Sequence, residues 1–150
     1  MTKDEALGKA MKLCSVKEYA TSDIVQKITD WGLDEESVNQ LINILHEDKF
    51  LDDFRFARFF ANDKLRFNKW GKLKIKYMLQ QKNVSREALS EALEQINERE
   101  YAEIITNELV KKRKSIKDAD SYKVKAKLFQ FAAGRGFEAD LIYKLIDKVM

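Results

Sequence analysis

IVQKITDWGLDEESVNQLINIL, from Ile24 to Leu45, lies without a gap over IKYMLQQKNVSREALSEALEQI, from Ile75 to Ile96, and over LFQFAAGRGFEADLIYKLIDKV, from Leu128 to Val149. The apolar positions coincide: Ile24, Ile75 and Leu128; Leu33, Val84 and Phe137; Val38, Leu89 and Ile142; Ile42, Leu93 and Ile146; Leu45, Ile96 and Val149. The copies are offset by 51 and 53 residues, and agreement across three of them marks an internal repeat. One slot holds Gly32, Asn83 and Gly136. Gly and Asn best tolerate the left-handed conformation that ends a helix. The residue after it is apolar in each copy and can staple against Val38, Leu89 or Ile142, one turn into a following helix. Asp34 and Ser85 are good N-caps for that helix, and Glu138 a poorer one. Each copy therefore reads as helix, tight turn, helix.

A further amphipathic helix precedes each pair, at about 4–15, 53–67 and 98–114. Thr2 and Glu5 have capping-box spacing for the first, and Asp52 can cap the second. The expected fold is all-α: three tandem three-helix units, each helix-turn-helix-like, at 1–51, 52–98 and 99–150. Units stacked in tandem form an elongated, curved arrangement that presents a long face to a partner. The connections around Asp52–Asp53 and Asn97–Arg99 are short and charged, so limited hinging is expected.

The bulk composition agrees with this reading. The 150 residues contain no Pro and five Gly, with 45% apolar and 35% charged residues, which favours a helical globular protein. Cys14 is the only cysteine, which excludes an intramolecular disulfide and points to a reducing compartment. MTKDEALGKA at the N-terminus has no apolar signal core, and no apolar run approaches membrane-spanning length. A cytoplasmic, monomeric protein without membrane association is expected. The net charge of +3 divides unevenly: six bases and ten acids in residues 1–51, ten and seven in 52–98, twelve and eight in 99–150. An acidic front and a basic remainder suggest different neighbours for each.

Catalytic chemistry finds little support. His46 is the only histidine and sits in HED at a helix end, where a cation-capable side chain suits the helix dipole. Cys14 and His46 do not make a zinc site, which needs three or four protein ligands. Asp52 and Asp53 are explained by capping at a helix start. No phosphate-cradling Gly-rich loop, nucleophile elbow or dinucleotide fingerprint is present. The expectation is a protein that is not an enzyme and needs no cofactor. A sequence-specific DNA reader is also disfavoured. Its second helix would enter the major groove, yet DEESVNQLINILHED carries five acids and no Lys or Arg, and phosphate would repel it.

The middle repeat carries the most uneven charge. KLRFNKWGKLKIKYMLQQKN, from Lys64 to Asn83, has seven Lys or Arg and no acid, with Phe67, Trp70 and Tyr77 interspersed. Helical spacing puts Ile75, Met78 and Leu79 on the core face. Lys69, Leu73, Lys76, Tyr77 and Gln80 fall opposite, with Trp70 and Lys74 to one side. Two readings of the charges stand side by side: a solvated helix face, or a surface that neutralises phosphate. For Leu73, Tyr77 and Trp70, packing against a neighbouring repeat is the favoured reading. Lys111–Lys114, KKRK, reads first as a solvated C-terminal turn and second as a contact to an anion.

LDDFRFARFFANDKLR (51–66), KWGKLKIKYMLQQKNVS (69–85) and FAAGRGFEADLI (131–142) together resemble RecX, the bacterial regulator of the RecA recombinase. The family's run is L-D-D-x-R-F-A, then K-W-G, then I-x-x-x-L-x-x-K-G-[IV], and near the end R-G-F before a helix. Order and spacing match over roughly the whole chain. The chain departs in lacking the Pro often found after K-W-G, and in having Asn83 where Gly is usual. The resemblance implies a tandem-repeat protein that binds the groove of RecA filaments on single-stranded DNA, limiting filament extension, recombination and co-protease activity. It implies RecA as partner, with single-stranded and also double-stranded DNA bound by some members. The candidate contact residues are Arg55, Arg58, Lys64, Arg66, Lys69, Trp70, Lys72, Lys74, Lys76 and Lys82. Phe56 and Ala57 read as core. The alternative function is a stand-alone, sequence-independent DNA-binding protein.

Overall fold

The computed structural model describes residues 1–150 as nine α-helices and a closing 3-10 turn, with no strand. The helices are α1 (Lys3–Val16), α2 (Thr21–Asp30), α3 (Glu35–Glu47), α4 (Asp53–Arg66), α5 (Lys72–Gln81), α6 (Arg86–Glu94), α7 (Glu98–Ser115), α8 (Ser121–Gly134) and α9 (Ala139–Ile146). The helix-turn-helix pairs of the repeat are α2–α3, α5–α6 and α8–α9, with α1, α4 and α7 as the preceding helices. No helix is long and apolar enough to cross a membrane.

The expected punctuation forms. Gly32, Asn83 and Gly136 have φ of 95°, 58° and 90°. At the end of α5, Val84 N donates to Leu79 O (3.2 Å) and Asn83 N to Gln80 O (3.0 Å). At the end of α8, Phe137 N and Gly136 N bond Ala132 O and Ala133 O in the same pattern, the Schellman closure. Helix α3 ends likewise, with Lys49 at φ 61°. Thr2, Asp34, Asp52 and Ser85 accept backbone N–H bonds at the starts of α1, α3, α4 and α6. Hydrogen bonds from Ser37, its side chain first and then its backbone, hold the Asp34 carboxyl below its ordinary range. Glu138 makes no cap bond, in keeping with its weaker propensity.

The chain forms two compact units, one of residues 1–59 and 79–91, the other of residues 60–78 and 92–150. In the first, Ala6, Ala10, Ile24, Ile28, Val38, Leu41, Ile42, Leu45 and Leu51 make the core under α1–α3. Phe56 and Ala57 are buried as expected. His46, in the last turn of α3, reaches Thr21 Oγ1 (3.0 Å), and the Thr21 hydroxyl and amide both donate to Asp53. In the second unit, Tyr101, Ile105 and Leu109 of α7 are buried, as are Leu128 and Ala132 of α8 and Ile142, Leu145 and Ile146 of α9. Phe137 meets Tyr101 edge to face at 5.9 Å. Most of the repeat's register positions are buried, with Leu33, Leu93 and Val149 half-buried, and removal of apolar side chains from water is the main favourable term.

Candidate functional site

The stretch between α4 and α5 positions the candidate side chains of the second unit. Trp70 N donates to Lys64 O (3.0 Å), closing the end of α4, and Lys69 takes a left-handed conformation with φ 57°. Lys69 and Trp70 therefore precede α5, whose first residue is Lys72, and do not share its helical face. Helical periodicity extended across them fails because a left-handed residue interrupts the helix.

Gly71 then meets the turn after α8. Gly71 N donates to Arg135 O (2.7 Å) and Leu73 N to Gly136 O (3.0 Å). A Cβ on Gly71 would lie 2.2 Å from the carbonyl carbon and oxygen of Gly136, and one on Gly136 would lie 2.5 Å from Lys74 Cβ. Between these bonds, Lys72 N donates to Tyr101 Oη (2.9 Å), and the Tyr101 hydroxyl donates to Glu138. Burial first, and then the bond to Glu138, push the Tyr101 phenol far above its ordinary range. K-W-G and R-G-F are thus two halves of one backbone junction. Carbonyls and a phenol satisfy the amides of Gly71, Lys72 and Leu73, so anion capture at this end of α5 falls to side chains.

Those side chains are mostly lysines. Lys64 and Lys74 lie over the Trp70 ring at 5.1 and 4.5 Å, and Phe60 meets Trp70 edge to face at 6.3 Å. Lys72 lies over the Tyr101 ring at 4.7 Å. Lys76 is exposed and Lys69 half-buried. None of Lys64, Lys69, Lys72, Lys74 and Lys76 forms an ion pair. A positive helix N-terminus with lysines and no acid in its first turn is electrostatically disfavoured in isolation, and it attracts anions. Leu73 and Tyr77, expected to pack, are 54% and 59% exposed. The reason lies in the register: Ile75 and Leu79 are the fully buried residues of α5, which turns Leu73 and Tyr77 outward.

The remaining candidates are tied down. Arg66, in the second unit, bonds Glu100 (2.9 Å). In the first unit, Arg55 Nε bonds both Glu18 oxygens at 2.5 and 2.7 Å, Arg58 bonds Glu91 (2.7 Å) and Lys82 bonds Asp23 (2.7 Å). Ser22 Oγ also donates to the Lys82 carbonyl. Sequence reasoning missed Tyr101 and Glu138 as partners of the K-W-G segment. The only local signal was the weak N-cap at Glu138. Cys14 is half-buried, and that burial pushes its thiol up.

The geometry defines an all-helical tandem-repeat protein with an uncompensated basic and aromatic surface in its middle repeat. Residues 52–93, which hold all ten candidates, match the family described as RecX, second three-helix domain, and residues 98–146 match RecX, third three-helix domain. Regulatory protein RecX of Acinetobacter baylyi is 31% identical over 140 residues, covering 93% of this chain and 85% of that protein. Regulatory protein RecX of Clostridium botulinum (strain Alaska E43 / Type E3) is 35% identical over 122 residues, 79% of this chain. That match spans 56% of the Clostridium protein's length. The crystal structure of RecX from Lactobacillus salivarius shares the fold, with TM-score 0.87 and 18% identity over 98% of this chain and 96% of that one. The chain belongs to the RecX family.

Proposed function

We propose that this chain regulates the RecA recombinase by binding rather than by catalysis, as a cytoplasmic monomer seated in the groove of the RecA filament on single-stranded DNA. The outcome is inhibition: filament extension, recombination and co-protease activity are limited. Family membership and the regulatory role named for its relatives support the partner. One observation carries the site: five lysines around α5 stand without carboxylates, whereas Arg55, Arg58, Arg66 and Lys82 each have one. The free set is Lys64, Lys69, Lys72, Lys74 and Lys76, with Trp70 holding two of the ammonium groups.

The test is the ATPase rate of the cognate RecA on single-stranded DNA as this protein is titrated in. Substoichiometric inhibition is expected, and Lys69→Glu/Lys74→Glu/Lys76→Glu should weaken it by about tenfold or more with helicity unchanged. Removing one lysine–phosphate pair lowers the salt slope of binding by about 0.7 on single strands, so removing three lowers it by about 2. Lys69→Gly should also weaken inhibition while relieving its backbone, which separates the effect of the missing charge from any effect on stability. Unaltered inhibition by the triple variant would return these lysines to a solvated face. The exposed Tyr77 favours a second reading, a stand-alone DNA-binding protein. That reading requires tight binding to bare DNA with no gain from the recombinase.

A further inference from the structure

The second unit has another basic and aromatic surface, remote in sequence from α5. Tyr122, Phe129 and Tyr143 line a groove of about 700 Å³ along α8 and α9, together with Lys125 and Lys127. Phe129 and Tyr143 stack at 4.8 Å with 25° between their planes, forming a flat platform. Tyr143 is 64% exposed and Tyr122 80%, so both rings are open to solvent. The α8 side chains Lys127 and Gln130 also line an adjoining cleft of about 650 Å³, with Lys112 and Lys117 and no carboxylate. Two acids pair with these lysines: Asp147, which also lines the groove, with Lys125 at 2.8 Å, and the half-buried Asp118 with Lys127 at 3.7 Å. The Lys125–Asp147 pair is exposed on both sides, and exposed pairs are worth little and exchange readily for another anion.

We infer that this surface is a binding site for single-stranded nucleic acid, with bases on Tyr122 and the Phe129–Tyr143 platform and phosphates on Lys127, Lys117 and Lys112. An aromatic groove running into a cleft lined by three lysines and no carboxylate matches a strand that offers flat bases on one side and charge on the other. An acidic peptide would use the lysines and leave the platform idle. An apolar helix would use the platform and leave the lysines buried without partners. The site needs no recombinase and shares no residue with the lysines around α5.

The test uses the full chain without recombinase and a fluorescent oligothymidine carrying 5-iododeoxyuridine. Photocrosslinks should map to Tyr122, Phe129 or Tyr143. Tyr122→Ala/Tyr143→Ala should weaken binding by about tenfold at unchanged salt slope, and Tyr122→Phe/Tyr143→Phe should retain it. Lys117→Glu/Lys127→Glu should lower the slope by more than one unit, since each neutralised phosphate accounts for about 0.7. Lys69→Glu/Lys74→Glu/Lys76→Glu should leave the tyrosine crosslinks in place, so this site and the filament surface stand or fall separately. Crosslinks confined to other residues overturn the inference, as does full affinity in the double alanine variant. Protection of these tyrosines by an added protein or peptide but not by the oligonucleotide overturns it as well.

Discussion

Gly71 and Gly136 show how a single atom decides local structure in the second unit. Each α-carbon sits where a methyl group would enter the backbone or Cβ of the other segment, at 2.2 Å in one case and 2.5 Å in the other. Gly71→Ala can be accommodated only by parting the K-W-G and R-G-F segments, breaking the bonds to Arg135 and Gly136. About 3 kcal/mol of stability should go with it, a fall in Tm of about 6–12 °C for a chain of this size, read by a circular-dichroism melt. A melt within about 2 °C of the parent would mean that the junction separates without cost. Tyr101 closes the same junction with a phenol that donates to Glu138 and is shielded from water. Above about pH 10 the unfolded chain releases this proton and the folded protein keeps it, so stability falls with rising pH by about 1.4 kcal/mol per unit. Below that pH both states hold the proton, and the group adds no pH dependence. Tyr101→Phe should be less stable at neutral pH, by about 1–3 kcal/mol, because Lys72 N and Glu138 are left without their partner. It should also lose stability less steeply from about pH 10 to 11 in denaturant titrations. Equal slopes in parent and variant would show that the phenol ionises in the fold.

Helices and their turns were the most legible level. The 3.6-residue spacing of apolar residues places α1, α4 and α7 to within a residue or two because each helix has one buried stripe, and the caps lie within three residues of the amides that they bind. What failed was the passage from α4 into α5. Lys69 has no intrinsic left-handed preference and is held there by the Trp70–Lys64 turn, which no propensity encodes. Equally hidden were the ion pairs, whose partners lie 37, 33, 34 and 59 positions away for Arg55, Arg58, Arg66 and Lys82. A charge count along a window cannot separate a tethered arginine from a free lysine. At the α5–α6 turn, by contrast, local chemistry is sufficient. Asn83 holds φ 58° because its short polar side chain tolerates that region. Asn83→Ala should destabilise by about 1 kcal/mol, whereas Asn83→Gly should stay within a few tenths of the parent in urea titrations. Similar losses for Ala and Gly would point to an unrecognised role for the amide side chain.

Across the whole molecule, the repeat and the compact units divide the chain differently. Sequence symmetry proposes boundaries at 51–52 and 98–99. The two compact units instead draw residues of α4, α5 and α6 into both. A repeat records which segments share an ancestral pattern, while compactness records which side chains are buried together, and only the second depends on long-range packing. This difference has a thermodynamic consequence. An α-helix breaks cooperatively, because a short isolated piece bears the cost of nucleation without enough hydrogen bonds to offset it. Losing the half of α4 or α5 in one unit therefore strips the other half of support, and neither unit can open alone without fraying the other. Heat or urea should unfold the chain in one transition by both far-ultraviolet circular dichroism and tryptophan fluorescence, with Trp31 in the first unit and Trp70 in the second as separate reporters. Native-state hydrogen exchange sharpens the comparison. Gly71→Ala, a change in the second unit, should lower protection at Val84 in the first unit as much as at Ile105 in the second. Loss confined to Ile105, or two resolved transitions, would show that α4 and α5 break at the boundary and that the units fold independently.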